Sequence, residues 1–168
     1  MVRGTKDRQS VAADWSYVRP VIDGVTVFEM KNVLGTHART TEIFRPEWEP
    51  SGLPVAHVYQ VTLLPGNSPV WHCHHDMLDR LFFGTGHIKL VLFDARAESP
   101  THALINEFDF GEARPALVAI PPLVWHAVQN RGDRSGIVIN LASHPYCYDD
   151  PDHYRLPPNT EEIPYVWK

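Results

Sequence analysis

The sequence predicts an all-β protein built as a sandwich or a barrel. Nine short segments are rich in β-branched and aromatic residues, and turn clusters such as PGN, GTG and GDRSG separate them. No segment repeats its apolar residues with the 3.6-residue period of a helix. Many short strands without alternating helices are typical of sandwiches and barrels.

The predicted strands follow in chain order. VTVFEM (25–30) and TTEIF (40–44) are brief runs of β-forming residues, and VAHVYQVTLL (55–64) is a longer run that ends at PGN. VWHCHH (70–75) and DRLFFG (79–84) follow, and the GTG turn separates them from HIKLVLFDA (87–95). The last three segments are ALVAI (116–120), VWHAVQ (124–129) and GIVINLA (136–142).

The segments flanking these strands differ in composition. Residues 1–18 are polar and mixed, which predicts an N-terminal arm before a domain at 19–148. Residues 149–168 form a tail that is too rich in proline for a central strand. The apolar Ile163, Tyr165 and Trp167 predict that this tail packs back on the barrel.

Bulk composition excludes several classes of function. A chain of 168 residues with a formal charge of −5 suits one globular domain and disfavours sequence-independent nucleic-acid binding. No apolar run approaches the roughly 18–20 residues that span a bilayer. The start lacks the apolar stretch of a signal peptide, and two cysteines are too few for a disulfide framework. We therefore expect a cytoplasmic protein that binds neither membrane nor nucleic acid.

The stretch PVWHCHHDMLDR holds three of the ten histidines within four positions. Because side chains alternate along a strand, His72 and His74 share one face of it. His126 lies on another apolar strand, so the three imidazoles can meet inside a small barrel. They are candidate metal ligands, proton-transfer groups or hydrogen-bonded core histidines. Five other histidines are expected at the surface: His75, His87, His102, His144 and His153.

Two motifs resemble those of the cupin superfamily. The first runs from Gly66 through His72, His74 and Asp79 to Gly86, and the second is PPLVWHAVQN, at 121–130. The resemblance implies a β jelly-roll barrel in whose mouth His72, His74, Asp79 and His126 converge.

A second resemblance covers nearly the whole chain. TEIFRPEW, LVLFDARAESPT, IPPLVWHAVQN and DDPDHYRLPPNTEEIPYVW are similar to segments of the dTDP-4-dehydrorhamnose 3,5-epimerase family, in particular of a divergent branch with shorter C-termini. The resemblance implies a metal-free jelly-roll homodimer acting on nucleotide-linked 4-keto-6-deoxy sugars. In that family a histidine removes the proton beside the ketone, and a tyrosine on the opposite side returns one.

The family roles map onto this sequence by motif position. The base falls on His72, a second cavity histidine on His126, and the tyrosine-rich region after the last strand on Tyr146 or Tyr148, with Tyr148 taken as the donor. Asp79 stands about where the family has a lysine and is expected to orient a histidine. Asn140 stands near the position of the family's catalytic tyrosine. The expected substrate-binding residues are Glu42, Arg39, Arg80, His74 and Tyr146.

Three functions stay open on the sequence alone. The main expectation is a cofactor-free epimerase or isomerase whose histidines transfer protons beside a ketone. The alternative is a metal-dependent cupin enzyme, in which His72, His74, Asp79 and His126 bind one divalent transition metal ion. The third is a sugar-binding cupin without catalysis.

Overall fold

The computed structural model describes residues 4–7, 9–14, 18–48 and 50–167. Part of the predicted arm, at positions 1–3, 8 and 15–17, lies outside these residues. Within them the strands are β1 (Thr26–Glu29), β2 (Asn32–Leu34), β3 (Arg39–Thr41), β4 (His57–Leu63), β5 (Trp71–Cys73), β6 (Asp79–Thr85), β7 (His87–Asp94), β8 (Ile105–Gly111), β9 (Ala116–Ile120), β10 (Val124–Asn130), β11 (Gly136–Ala142) and β12 (Tyr154–Leu156).

Two five-stranded antiparallel sheets form the body of the molecule. The first sheet has the order β1-β9-β6-β11-β4, and the second has the order β12-β5-β10-β7-β8. Strands β2 and β3 pair as a separate hairpin. From β4 to β12 the chain changes sheets at every connection except the one between β7 and β8. This arrangement confirms the predicted all-β jelly roll, with a single 3-10 turn at Pro46–Trp48 as the only helical segment in the described part of the chain.

The main core is built from apolar side chains of both sheets. Phe83 and Val118 come from the first sheet and Ile88, Leu90 and Phe110 from the second, and all are at most 2% exposed. A smaller apolar cluster surrounds Trp71, on β5. The tail packs there, because the rings of Tyr165 and Trp167 lie 6.0 and 5.4 Å from the Trp71 ring.

The structure differs from the strand predictions at five strands that bear on the site or the fold. Strands β2, β8 and β12 are additional to the nine predicted segments, and β3 ends at Thr41 rather than at residue 44. Strand β5 ends at Cys73, although the predicted segment continues to residue 75. It ends there because the amides of His75, Asp76 and Met77 all donate to the Asp152 carboxylate instead of to a neighbouring strand.

Among the residues described, no helical segment has the length and apolar character needed to cross a lipid bilayer.

Candidate active site

A cavity of about 290 Å³, the inner compartment, opens between the two sheets. Its lining from the first sheet is Tyr59, Val61, Leu81, Val138 and Asn140, and its lining from the second sheet and the tail is His72, Val128, His153 and Arg155. A second cavity of about 350 Å³, the outer compartment, is lined by His57, Tyr59, Met77, Tyr146, Tyr148, His153 and Arg155. Because three residues line both, the two compartments adjoin.

His72 occupies the centre of the histidine-rich wall. It lies on β5 directly between its cross-strand partners, His126 on β10 and Arg155 on β12. Burial, and after it the neighbouring His126, lower the pKa of His72 well below its usual value, so the ring is neutral at pH 7. Its Nδ1 lies 3.4 Å from the carbonyl oxygen of Val70. Donation from Nδ1 to this carbonyl leaves the lone pair on Nε2, which is the form that accepts a proton.

Asp79, at the start of β6, is the buried anion of the site. Its Oδ2 lies 3.1 Å from His126 Nε2, and its Oδ1 accepts a 2.7 Å hydrogen bond from the Asn140 amide. Burial alone raises the pKa of this carboxyl, but contacts from His126 and His74 outweigh it and bring the pKa far below its usual range. The carboxylate is therefore ionised at neutral pH. His126 is fixed from its other side, since Nδ1 lies 3.0 Å from the carbonyl oxygen of Val124.

His74 contacts the same carboxylate from the end of β5. Its Nε2 lies 3.1 Å from Asp79 Oδ2, without the alignment of a hydrogen bond, and this buried nitrogen has no hydrogen-bond partner among the described residues. Its Nδ1 is bonded to the backbone carbonyl of Asp152. Burial lowers the pKa of His74, but Asp79 and Asp152 together raise it above its usual value. His74 is thus a partner for the charge of Asp79 rather than a base.

The C-terminal tail completes the wall. The Asp152 carboxylate accepts backbone hydrogen bonds of 2.7, 2.9 and 3.1 Å from residues 75, 76 and 77. This clamp places the His153 ring 4.5 Å from the His74 ring. The expectation that His153 lies at the surface is therefore wrong: it is half-buried and lines both compartments. Nothing local in the sequence indicates this, because the contact spans nearly 80 residues.

Tyr59 is a further residue that the sequence analysis missed. It lies on β4 opposite Asn140 on β11, and the Asn140 amide donates to its hydroxyl at 2.9 Å. Burial, followed by the charge of Asp79, raises the pKa of Tyr59. The available signal was the strand itself, since His57, Tyr59 and Val61 alternate with residues of the opposite face.

The structure does not bring every predicted site residue to the cavity. Arg80 is fully buried, and its guanidinium donates to the carbonyl oxygens of Leu53, at 2.7 Å, and of Pro54 and Leu141, both at 3.3 Å. The prediction that Arg80 binds substrate is therefore wrong. Its guanidinium instead joins the first sheet to the segment before β4.

The remaining predicted residues lie outside the inner compartment. Arg39 belongs to the β2-β3 hairpin, and the exposed Glu42 pairs with Arg45 at 2.6 Å; neither lines the two compartments. Tyr146 and Tyr148 line the outer compartment, and Tyr148 is 87% exposed. Tyr148 does not line the inner compartment with His72, so the structure does not bring the predicted donor and the predicted base into one compartment.

Asp79 and the three histidines around it also fit a metal ion. His72, His74, Asp79 and His126 each offer one ligand atom, and these atoms lie within 4.8 Å of one another. Three imidazole nitrogens and one carboxylate oxygen suit divalent transition metals. The buried Nε2 of His74, which has no hydrogen-bond partner among the described residues, is one of the atoms that such an ion would satisfy. Without an ion, the Asp79 carboxylate is hydrogen-bonded to His126 and Asn140 and lies 3.1 Å from His74 Nε2.

Three known proteins resemble this chain over most of its length. No family model matches it. The probable low-salt glycan biosynthesis epimerase Agl13 of Haloferax volcanii is 30% identical over 139 residues, covering 82% of this chain and 89% of that protein. The dTDP sugar isomerase of Desulfovibrio desulfuricans G20 is 25% identical, with a TM-score of 0.78 over 87% of this chain and 92% of that one. The dTDP-4-dehydrorhamnose 3,5-epimerase of Bacillus anthracis strain Ames, solved with TDP and PPi bound, shares the fold at 15% identity, with a TM-score of 0.76 over 89% and 88% of the chains.

Proposed function

The chain belongs to the dTDP-4-dehydrorhamnose 3,5-epimerase-like family, and we propose that it is an enzyme acting on a nucleotide-linked 4-keto-6-deoxy sugar. The proposed reaction moves a proton at a carbon beside the ketone. The observation that carries the proposal is the state of His72, which is neutral, hydrogen-bonded at Nδ1 and part of the lining of the inner compartment. A base of this kind can remove a proton whose loss leaves an enolate.

The charges around His72 support the same chemistry. Removal of the proton puts negative charge on the ketone oxygen, and this charge must be stabilised by donors or cations already in place. Arg155 lies next to His72 on the neighbouring strand and lines both compartments. Asp79 holds His126 and His74 in fixed orientations, and we propose that it positions the histidine wall rather than touching the sugar.

The outer compartment suits the nucleotide part of the substrate. Besides Tyr59 and His153, which both compartments share, its lining includes the rings of His57, Tyr146 and Tyr148, and flat rings of this kind stack on a base. Arg155 lies between the two compartments, where a diphosphate linking base and sugar would pass. We propose that the sugar occupies the inner compartment and the nucleotide the outer one.

Solvent-exchange measurement tests this function. The purified protein is incubated in D₂O with dTDP-linked 4-keto-6-deoxyglucose, and ¹H NMR follows the protons on the carbons beside the ketone. We expect their signals to disappear with the wild type and to persist with His72→Asn, while dTDP raises the melting temperature of both proteins. If the wild type exchanges no proton in this or in several other 4-keto sugar nucleotides, the proposed function is wrong.

A metal-dependent reaction is the second candidate, and the four ligand atoms within 4.8 Å favour it. The metal would polarise a substrate oxygen, and the histidines would hold the ion instead of carrying protons. The test is elemental analysis of protein purified without a His-tag. A near-stoichiometric transition metal whose removal by EDTA abolishes turnover would support this candidate, and metal-free protein with full exchange activity would contradict it.

We also propose that the protein is a cytoplasmic homodimer. The β2-β3 hairpin leaves Val33 and Leu34 67% and 77% exposed, and a second subunit would cover these side chains. The free thiols of Cys73 and Cys147 suit a reducing compartment. Light scattering at low micromolar concentration should give twice the mass of the 19.1 kDa chain. A clean monomer at that concentration would contradict the dimer.

A further inference from the structure

Tyr59 and His72 face the inner compartment from opposite sheets. Tyr59 lies on β4 of the first sheet, and His72 lies on β5 of the second. A sugar ring between them therefore meets the imidazole on one side and the phenol on the other. Inversion of a carbon requires this arrangement, because the proton must leave from one side and return from the other.

The hydrogen bonds around Asn140 determine where the proton of the Tyr59 hydroxyl points. Asn140 Oδ1 accepts from the backbone N–H of Arg80 at 3.2 Å, which fixes the orientation of the amide. The amide nitrogen therefore donates to Asp79 Oδ1 at 2.7 Å and to the Tyr59 hydroxyl at 2.9 Å. Since the hydroxyl is the acceptor in this bond, its own proton is not used there. No other hydrogen bond of this hydroxyl is formed within the described part of the chain, so its proton is free to point into the compartment.

We propose that Tyr59 is the acid that returns a proton to the carbon beside the ketone, from the side opposite His72. This inference rests on the proposed function. His72 Nε2 takes the proton, and the electron pair of the C–H bond moves to form the enolate. The Tyr59 O–H then gives its proton to the same carbon on the other face, which restores the ketone with inverted configuration and leaves tyrosinate. Transfer of a proton from the His72 imidazolium to Tyr59 through solvent restores the resting state.

The other candidate donors are less well placed. Tyr146 and Tyr148 line the outer compartment and not the inner one, and Tyr148 is 87% exposed. His153 comes from the tail beside β12, on the same wall as His72, with 6.4 Å between the two ring centroids. A proton delivered by His153 would therefore return to the side from which it left. Among the residues that the structure describes, only Tyr59 combines a position on the opposite wall with a hydroxyl proton free to move.

The substitution Tyr59→Phe separates the two halves of the reaction. His72 can still remove the proton and return a deuteron to the same face, so exchange with solvent continues without inversion. We expect epimer formation to fall by about 100-fold or more, while exchange in D₂O stays within about tenfold of the wild type. A residue that only supported the structure would lower both rates together. NMR on one sample gives both readouts, because the two epimers differ in their proton couplings.

Two further variants and a folding check make the result decisive. Tyr154→Phe removes a tyrosine hydroxyl outside both compartments and should change neither rate. Stabilisation of Tyr59→Phe by dTDP in a thermal shift shows that the variant is folded. Tyr59 is not the donor if Tyr59→Phe still forms the epimer at about the wild-type rate, if it loses exchange and inversion equally, or if Tyr148→Phe shows the separation instead. Failure of the proposed function looks different, since the wild type itself would then show no exchange.

Discussion

Arg155 lies directly opposite His72 across the antiparallel strands β12 and β5, so the two side chains share the face that lines the inner compartment. The tail thus brings a guanidinium to the wall that carries the base. The family that this chain resembles has a positively charged lysine at about the position where this chain has the negatively charged Asp79. In the proposed reaction the positive charge that stabilises the enolate would therefore come from the edge strand β12 rather than from the barrel strand β6.

This relationship predicts that Arg155 contributes to the rate of proton removal. Arg155→Met keeps much of the side-chain volume but removes the charge, and we expect the exchange rate to fall about 100-fold. Arg155→Lys should recover part of the loss because it restores the charge without the planar fork. Arg131→Met, which breaks an exposed contact of 3.6 Å with Asp109, is the matched control and should leave the rate unchanged. An Arg155→Met enzyme with the wild-type rate would show that another group stabilises the enolate.

Comparison of His72→Asn with His74→Asn separates the proton-transfer function from the metal-dependent one. If His72 is the base, its loss abolishes exchange of solvent deuterium, whereas loss of His74 has the smaller effect of disturbing Asp79 and the tail. If both are metal ligands, the two variants lose turnover and metal content alike. Exchange rates from NMR and metal content from elemental analysis should be measured on the same preparations. We expect unequal exchange rates, and equal losses of both quantities would favour the metal site.

The Asp152 clamp predicts that the tail is required for activity as well as for stability. Asp152→Ala leaves the amides of residues 75–77 without their acceptor and should lower the free energy of unfolding by about 1–3 kcal/mol. The exchange rate should fall even under conditions in which the variant is fully folded, because His153 and Arg155 lose their places beside His72. Denaturant unfolding and the NMR exchange assay measure the two effects. Asp149→Ala, which removes an exposed carboxylate of the same segment, serves as the control; equal behaviour of the two variants would contradict the clamp.

Most of the strand framework was predictable from local sequence, because buried strands are runs of β-branched and aromatic residues. The segments 116–120 and 136–142 match β9 and β11 residue for residue. Strand β8 was missed although its buried Asn106, Phe108 and Phe110 alternate with polar residues, a two-residue period that could have identified it. Strand β12 has no such signal, because its three residues stand among prolines and gain their conformation only by pairing with β5.

The site residues likewise divide into those that local sequence predicts and those that depend on distant contacts. His72, His74, Asp79 and His126 were predictable as a group, because two sequence motifs carry them and the fold brings those motifs together. Tyr59 and Arg155 were not, since their places depend on contacts across 81 and 83 residues of chain with Asn140 and His72. No local pattern distinguishes them from an ordinary strand tyrosine or a solvated arginine.

Asp94, at the end of β7, predicts an acid limit to stability that is independent of the active site. Its fully buried carboxylate binds Arg96 at 2.8 Å, Ser99 at 2.6 Å and Thr101 at 2.7 Å. Burial alone raises the pKa of Asp94, but these bonds, that of Arg96 first, bring it well below its usual range.

Since the pKa of Asp94 is lower in the folded state than in the unfolded chain, where it is about 3.9, its contribution to stability is complete above that pH. The contribution is lost as the pH falls below about 3.9, because Asp94 then binds a proton in the unfolded chain but stays ionised in the folded state. We expect Asp94→Asn to lower the free energy of unfolding by about 2 kcal/mol at pH 7 and to flatten its dependence on pH between about 4 and 2. Urea unfolding across this range measures both effects. Asp133→Asn, at an exposed carboxyl of the turn before β11, should follow the wild-type curve. If Asp94→Asn instead loses stability in acid as steeply as the wild type, other carboxylates, such as Asp152 or Glu107, set the acid limit.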